Sequence, residues 1–293
     1  MDIREAKKIV ETIGRKASLS REEAFRLTEA LEYLIRETHE TRWMVELGGY
    51  YYEEKRFDLA LKYYEMADSY GDAWAPEGLG YIWYYGRTGR RDYEKAFLYY
   101  SKAAHQGQLK SKIKVADMYR NGYYVKKDEE KYQAIIEEAY EEVKGARYLS
   151  EPLPEVYTRL ARVRTAQGRT EEAVDLYLEA KVFLAQRIGY TMFFGDLNMM
   201  KWLEEDLNRL LPVDPTDFDL FDLYVVLRTP ARVCFYYQED RYEVHSSAHD
   251  AGMAVQFGGS WYQGVDEFFR RADIMGKALP TLSGKLYGFE ILK

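Results

Sequence analysis

The chain has 293 residues, a formal net charge of −7 and a pI near 5.4. A negative balance with no basic stripe excludes nucleic acid as the default partner, and the absence of any run of ~18 apolar residues excludes a spanning helix, so no membrane partner is expected. The one cysteine, Cys234, cannot form an internal disulfide, and the first residues, Met1-Asp2-Ile3-Arg4-Glu5-Ala6-Lys7-Lys8, do not read as a signal segment; both fit a reducing cytoplasm.

Residues 3–15 carry Ile3, Ala6, Ile9, Val10 and Ile13 at helical spacing. Ser20 with Glu23 is a capping-box pattern that opens a second helix to about residue 36, with Phe25, Leu27, Leu31 and Leu34 apolar. This pair, 1–40, lacks the spacing that follows. It reads as an N-terminal cap over the open face of a repeat array, which needs such a cap to stay soluble.

From 41 to 188 one pattern recurs: Ala, three residues, a large residue, two residues, Ala. It stands at Ala60-Tyr64-Ala67, at Ala96-Tyr100-Ala103 and, with Tyr in the first place, at Tyr132-Ile136-Ala139, each copy 36 residues after the last. A fourth copy, Ala173-Tyr177-Ala180, follows 41 residues later. A fixed period in this range means stacked supersecondary units, since one helix pair cannot bury its apolar face alone. Within the second copy, Leu79, Gly80 and Trp83 precede a break at Gly86-Arg87-Thr88-Gly89, and Asp92 then caps a second helix. The third copy repeats the plan through Val115, Ala116, Tyr119, Asn121-Gly122 and Asp128. The expected unit is therefore two antiparallel helices joined by a glycine-containing turn. Small residues such as Gly80 let helices approach, and tyrosines, of which there are 28, fill the seams.

The run Leu47-Gly48, Tyr51, Ala60, Tyr64 and Ala67 resembles a tetratricopeptide repeat, as does Leu160-Ala161, Gly168, Ala173, Tyr177 and Ala180. Asp92-Tyr93-Glu94-Lys95-Ala96 with Tyr99 through Gly107 resembles the Sel-one-like variant of that repeat. The resemblance covers 43–140 and 154–187. It implies an α-solenoid that binds a protein or peptide in a concave groove lined by the first helix of each pair, without cofactor and without catalysis of its own. Alignment of the copies on Leu47, Leu79 and Val115 places Tyr52, Tyr81, Tyr84, Tyr85, Arg120 and Asn121 on that face, with Arg42 and Trp74 one or two turns earlier. Aromatics beside arginines suit binding hot spots.

A closing helix near 190–211 ends the array, with Leu197, Met200, Leu203, Leu207 and Leu210 at helical spacing. Pro212-Val213-Asp214-Pro215-Thr216 cannot continue a helix and marks the expected boundary between 1–212 and 213–293. Beyond it, 217–227 reads as helix. Val233, Phe235 and Tyr237 alternate as a strand. A turn at 238–241, a second strand with Tyr242 and Val244, and a strand at Met253, Val255 and Phe257 follow. Gly258-Gly259-Ser260 leads into Trp261-Tyr262, then a helix at Val265–Ala272 spacing and a last strand at Leu286, Tyr287, Phe289 and Ile291. The expected fold class is mainly α: a solenoid followed by a small α+β domain with an antiparallel sheet.

Chemistry-bearing constellations are few. His245 and His249 with Asp250 are the one group with metal-ligand residue types, but 243–250 reads as strand end and loop, where that spacing does not place two imidazoles together. Cys234 reads as a small buried residue of a strand. Gly86-Arg87-Thr88-Gly89-Arg90-Arg91 lacks the Gly-Lys-Ser/Thr ending of a phosphate loop, does not follow a strand, and reads as a solvated inter-helix turn, with its three arginines available to an acidic partner. Two functions follow as expectations. In the first the chain is an interaction scaffold for a protein, a peptide or a second copy of itself (a homo-oligomer). In the second the α+β domain is an enzyme or a metal- or small-ligand-binding part, with the repeats as a targeting arm.

Overall fold

The computed structural model describes residues 1–14, 16, 18–145, 153–191, 193–214, 218–249 and 252–292. Their packing forms two compact units, Met1–Ala139 and Tyr140–Lys293.

In the first unit, Asp2 caps α1 (Ile3–Ile13) by accepting from the Glu5 N–H at 2.8 Å. Ser20 and Glu23 form the expected reciprocal capping box of α2 (Arg21–Thr38). Ala6, Val10 and Ile13 of α1 and Leu27, Leu31 and Leu34 of α2 share one core with Trp43, Leu47 and Tyr51 of α3 (Thr41–Glu53). The leading pair thus covers the apolar face of the first repeat.

Three helix pairs follow: α3 with α4 (Phe57–Ser69), α5 (Ala75–Tyr85) with α6 (Tyr93–His105), and α7 (Leu109–Asn121) with α8 (Glu129–Val143). The repeated positions Ala60, Tyr64, Ala67, Ala96, Tyr100, Ala103, Tyr132, Ile136 and Ala139 are all buried. The reason for the period is steric. The ring of Tyr64 lies so close to α3 and α5 that a Cβ on Gly48 would come within 2.9 Å of it, and one on Gly78 within 2.7 Å. A Cβ on Gly80 would stand 2.5 Å from the ring of Tyr100. Each central tyrosine occupies a recess that a glycine of a first helix leaves open. Asp92 and Asp128 cap α6 and α8 as expected, accepting from the backbone N–H of Lys95 and Lys131 at 3.0 and 2.9 Å. Gly86 and Gly122 end α5 and α7 at φ +64° and +71°, where a Cβ is strained.

The hydroxyl of Tyr100 is fully buried and has no hydrogen-bond partner among the described residues, and burial pushes its phenol well above the usual pKa. An unpaired buried hydroxyl costs roughly 1–3 kcal/mol. Tyr100→Phe should therefore stabilise the chain by about 1 kcal/mol in chemical denaturation. Unchanged or reduced stability would show that the hydroxyl is satisfied.

The second unit begins with a helix pair, α9 (Leu153–Ala166) and α10 (Thr170–Thr191), in which Leu160, Ala161, Ala173, Tyr177 and Ala180 are buried at the fourth copy of the repeat pattern. Next come α11 (Phe194–Leu210) and a single helical turn, α12 (Leu223–Val226), where a longer helix over 217–227 was expected. The turn is short because Asp219 and Asp222 bond to each other's backbone N–H groups and hold the preceding residues in a tight loop.

Strands β1 (Ala231–Tyr237), β2 (Asp240–His249), β3 (Gly252–Phe257), β4 (Ser260–Tyr262) and β7 (Leu286–Leu292) form one antiparallel sheet in the order β4-β3-β2-β1-β7. Helix α13 (Val265–Arg271), a two-residue hairpin of β5 (Asp273–Ile274) and β6 (Lys277–Ala278), and a 3-10 turn (Leu279–Leu282) lie between β4 and β7. The expected strand end and loop at 243–249 is strand throughout, because it pairs with β1 on one side and β3 on the other.

Leu184 and Ile188 of α10 and Leu197 and Met200 of α11 belong to the same core as Phe221, Tyr224, Val233, Phe235, Val255 and Phe269. The last helices and the sheet are thus packed on common apolar residues, while part of the proline segment, 215–217, lies outside the described residues.

Candidate functional site

Four of the expected groove residues come together in the first unit. Tyr81 and Tyr85, one turn apart on α5, have parallel rings at a centroid distance of 6.0 Å. Tyr84 meets Tyr85 edge-on at 5.0 Å. Two cations join them. Lys114 of α7 donates to the Tyr85 hydroxyl at 3.0 Å and lies 5.2–5.6 Å from the rings of Tyr81, Tyr84 and Tyr85. Arg87, in the turn after α5, lies 5.1 Å from Tyr85 and 5.7 Å from Tyr52, donates from Nε to the Tyr52 hydroxyl at 3.1 Å, and covers Phe57. The order across this face is Phe57, Tyr52, Arg87, Tyr85, Lys114: a pair of rings, a cation, a ring and a cation, over three helix pairs. Such contacts contribute ~0.5–1 kcal/mol each at exposed sites, enough to hold the side chains in place. Beside Arg87 lies a depression of about 540 Å³ lined by Lys55, Arg56, Phe57, Asp58, Leu59, Arg87 and Thr88, in which three cations stand against one carboxylate.

Tyr84 sits deeper than expected. Its ring packs on Tyr93, Tyr100 and Tyr123, and burial, followed by the nearby Asp117 carboxylate, pushes its phenol well above the ordinary value. It fills the seam as much as it lines the face. The other four expected residues stand apart from the cluster. Arg42 stacks on Trp43 at 4.1 Å and pairs with Glu40. Trp74 precedes α5 and is 63% exposed, its backbone N–H held by Asp72. Arg120 lies 5.2 Å from the ring of Tyr132, and Asn121 donates to the Asp117 carbonyl on its own helix. Alignment of the copies does not select Lys114, which comes a helical turn before the aligned tyrosines; its place is visible only once α5 and α7 are packed.

In the second unit, His245 bonds to Gln256 at 2.5 Å and His249 to Ser247 at 3.0 Å. Four residues along a strand span about 13 Å, so these two imidazoles cannot share an ion through the pair alone. Asp250, the third member of the expected group, lies outside the described residues. Cys234 is buried as expected, with Glu290 facing its sulfur at 3.7 Å.

Sequence reasoning passed over a different cluster. Lys181 of α10 holds its Nζ 2.9 Å from Glu204 Oε1, 3.0 Å from Asp219 Oδ2 and 3.2 Å from Asp222 Oδ1. Its residues lie on α10, on α11 and in the loop before α12, and no fixed spacing links them. Burial disfavours the ammonium, but the three carboxylates outweigh that and hold its pKa above the usual range. Burial raises Glu204 to about 8, with Lys181 opposing and Asp222 reinforcing the shift. An acid whose pKa is higher in the folded than in the unfolded chain binds the extra proton only when folded. Stability therefore falls as pH rises from the ordinary carboxylate range toward 8 and levels off above it. Glu204→Gln should flatten that part of the pH–stability curve, measured as melting temperature from pH 5 to 9; an unchanged slope would remove Glu204 as its source.

No family model and no curated protein sequence matches the chain. Solved structures do match. A Sel1 repeat protein from Oxalobacter formigenes superposes with a TM-score of 0.53 at 19% identity, covering 72% of this chain and 77% of that one. A protective antigen of uropathogenic Escherichia coli strains with an SLR fold gives a TM-score of 0.48 at 16% identity, covering 75% of this chain and 50% of that one. PilW, a type IV pilus biogenesis factor, gives 0.46 at 12% identity, with coverages of 71% and 88%. The first of these shows the fold, a Sel1-like helical repeat array, to which this chain adds an antiparallel sheet in its C-terminal part. Among the described residues no helix is long and apolar enough to cross a membrane.

Proposed function

We propose that the chain is a protein-interaction scaffold, non-catalytic and cytoplasmic, and that the face formed by α3, α5 and α7 holds an acidic segment of a partner protein. One observation carries the reading: Arg87 and Lys114 are held over tyrosine rings, and neither is paired with a carboxylate among the described residues. In a chain of net charge −7, whose surface cations are repeatedly paired with acids, two pre-positioned cations beside a basic depression favour a partner that supplies the carboxylates. The tyrosines add contact area that costs little conformational entropy to fix. The helical repeat fold supports the scaffold class, because stacked helix pairs present an extended surface and little enclosed volume.

The test uses the full chain as bait in lysate of the source cell. A protein should be retained, elute with salt, and be lost when Arg87→Glu and Lys114→Glu are combined, while the melting temperature stays within a few degrees of the parent. Retention undiminished by the double change would place binding elsewhere.

A further inference from the structure

The turn between α3 and α4 departs at two points from the turn between α9 and α10, and both departures add a cation to the depression beside Arg87. The two turns share one backbone. The N–H groups of Glu54, Lys55 and Arg56 donate to the carbonyls of Tyr50, Tyr52 and Tyr51 at 3.0, 3.0 and 2.8 Å. Those of Gln167, Gly168 and Arg169 donate to Val163, Thr165 and Arg164 at 3.1, 3.0 and 2.9 Å. The middle residue is left-handed in each, at φ +57° for Lys55 and +75° for Gly168. Glycine takes that conformation without strain, whereas the Cβ of a lysine makes it costly. A side chain held at a strained position points to a use for that side chain. The next residue is arginine in both turns. Arg169 is neutralised within its own copy by Glu172, to which Nε and Nη2 donate at 2.6 and 2.5 Å. Glu172 stands immediately before Ala173; before Ala60, its counterpart, stands Leu59. Arg56 therefore lacks that acid and lies against the ring of Tyr51 at 4.9 Å.

These two cations meet a third. Lys55, Arg56 and Arg87 line the depression of about 540 Å³ with Thr88, and Asp58 is the one carboxylate among its lining residues. Glu53 and Glu54 precede Lys55 but do not line it. Among the described residues no hydrogen bond or ion pair occupies the Lys55 ammonium, the Arg56 guanidinium or Nη1 and Nη2 of Arg87, whose Nε is held on the Tyr52 hydroxyl. Three cations against one carboxylate leave an excess of two positive charges, of which a single Asp or Glu of a partner cancels half. A phosphate monoester carries about −1.5 to −2 at pH 7 and offers three acceptor oxygens. Guanidinium groups match it with two parallel N–H donors each.

We propose that this depression takes the phosphate of a phosphorylated residue in the partner's acidic segment, so that phosphorylation of the partner switches on its binding. The inference rests on the reading of the face of α3, α5 and α7 as the partner site, and it names the group bound at the edge of that face. Arg87 serves both: Nε fixes it on Tyr52, and its two terminal nitrogens remain for the phosphate. Lys55 and Arg56 supply the rest of the charge.

The probes are acetyl-Glu-Glu-phosphoserine-Glu-Glu-amide, its counterparts with glutamate and with serine at the centre, and inorganic phosphate, each titrated against the isotope-labelled full chain. The phosphoserine peptide should shift the backbone amides of Lys55, Arg87 and Thr88 and bind about tenfold more tightly than the glutamate peptide, with the serine peptide weaker still. Inorganic phosphate should bind more weakly than the phosphoserine peptide. Lys55→Gly relieves the left-handed strain, so it should hold or raise the melting temperature while lowering affinity for the phosphoserine peptide about tenfold. Equal affinity for the phosphoserine and glutamate peptides, or no amide shift at the highest soluble concentration, would overturn the proposal. So would inorganic phosphate binding as tightly as the peptide, or full affinity in Lys55→Gly. The scaffold reading fails separately. If a phosphatase-treated lysate still supplies a protein that the full chain retains undiminished and that Arg87→Glu with Lys114→Glu releases, the scaffold stands and the phosphate falls.

Discussion

Gly80→Val should lower the stability of the repeat array by at least 1–3 kcal/mol, the usual range for overpacking a filled core. Even the first added carbon would stand 2.5 Å from the Tyr100 ring, a distance that requires something to move. The ring has nowhere to go. It is fully buried, with Tyr81 and Tyr84 against it edge-on at 5.7 and 6.0 Å. Replacing a mid-helix glycine ordinarily gains up to ~1 kcal/mol for alanine through helix propensity, and less for a β-branched residue. The clash exceeds that gain, so the sign of the change is destabilising. Thermal or urea unfolding followed by circular dichroism reads it directly. A neutral or stabilised variant would mean that α5 and α6 are not as close as described, and the account of the 36-residue period would fail with it.

Arg187→Met should cost about 3–5 kcal/mol, the range for removing one partner from a buried ion pair. Arg187 is 8% exposed and joins three helices of the second unit. It bonds Glu155 of α9 through NH1 and NH2 at 3.2 and 2.8 Å, and Asp196 of α11 through Nε and NH2 at 3.1 and 2.8 Å. Without it, the 6%-exposed Asp196 loses two charge-assisted hydrogen bonds beside the core. Because much of the penalty comes from that weakened pairing of a buried charge, Arg187→Met with Asp196→Leu should cost less than Arg187→Met alone; Glu155, more exposed, can be hydrated. Equal or additive losses in the pair, measured as a double-mutant cycle of unfolding free energies, would show that packing around the arginine stem matters more than the charges.

The array was legible in the sequence because its logic is local. The spacing Ala60-Tyr64-Ala67 records one helix face, and Gly48 and Gly80 record the recesses into which the tyrosines fit. The caps Ser20, Asp92 and Asp128 are equally local signals. The second unit was harder to read for a definite reason. Leu184, Ile188, Leu197 and Met200 announce apolar helix faces, but nothing in their spacing says that the surface opposite is a sheet rather than another helix pair. The short α12 was misread as a longer helix because Asp219 and Asp222 compete with helical bonding through their own backbone, an effect invisible to periodicity.

The site was half legible. Tyr52, Tyr81, Tyr84 and Tyr85 follow from aligning the repeats. Arg87 stands in the sequence only as one cation of a charged turn, and no spacing marks Lys114, since both join the tyrosines through packing between pairs. The Lys181 cluster draws its members from 181, 204, 219 and 222, and only tertiary structure brings them within about 3 Å of one ammonium.

On this reading the rings and cations on the first unit's face hold a partner. A photoreactive phenylalanine analogue placed at Tyr85, which is 40% exposed within that face, and separately at Leu98, 57% exposed on α6, tests it most directly in the source cell. Irradiation should give one cross-linked protein from position 85 and none from 98, with the adduct lost when Arg87→Glu is added. An adduct from 98 alone, or none from 85 while the protein still co-purifies with the chain, would contradict the claim.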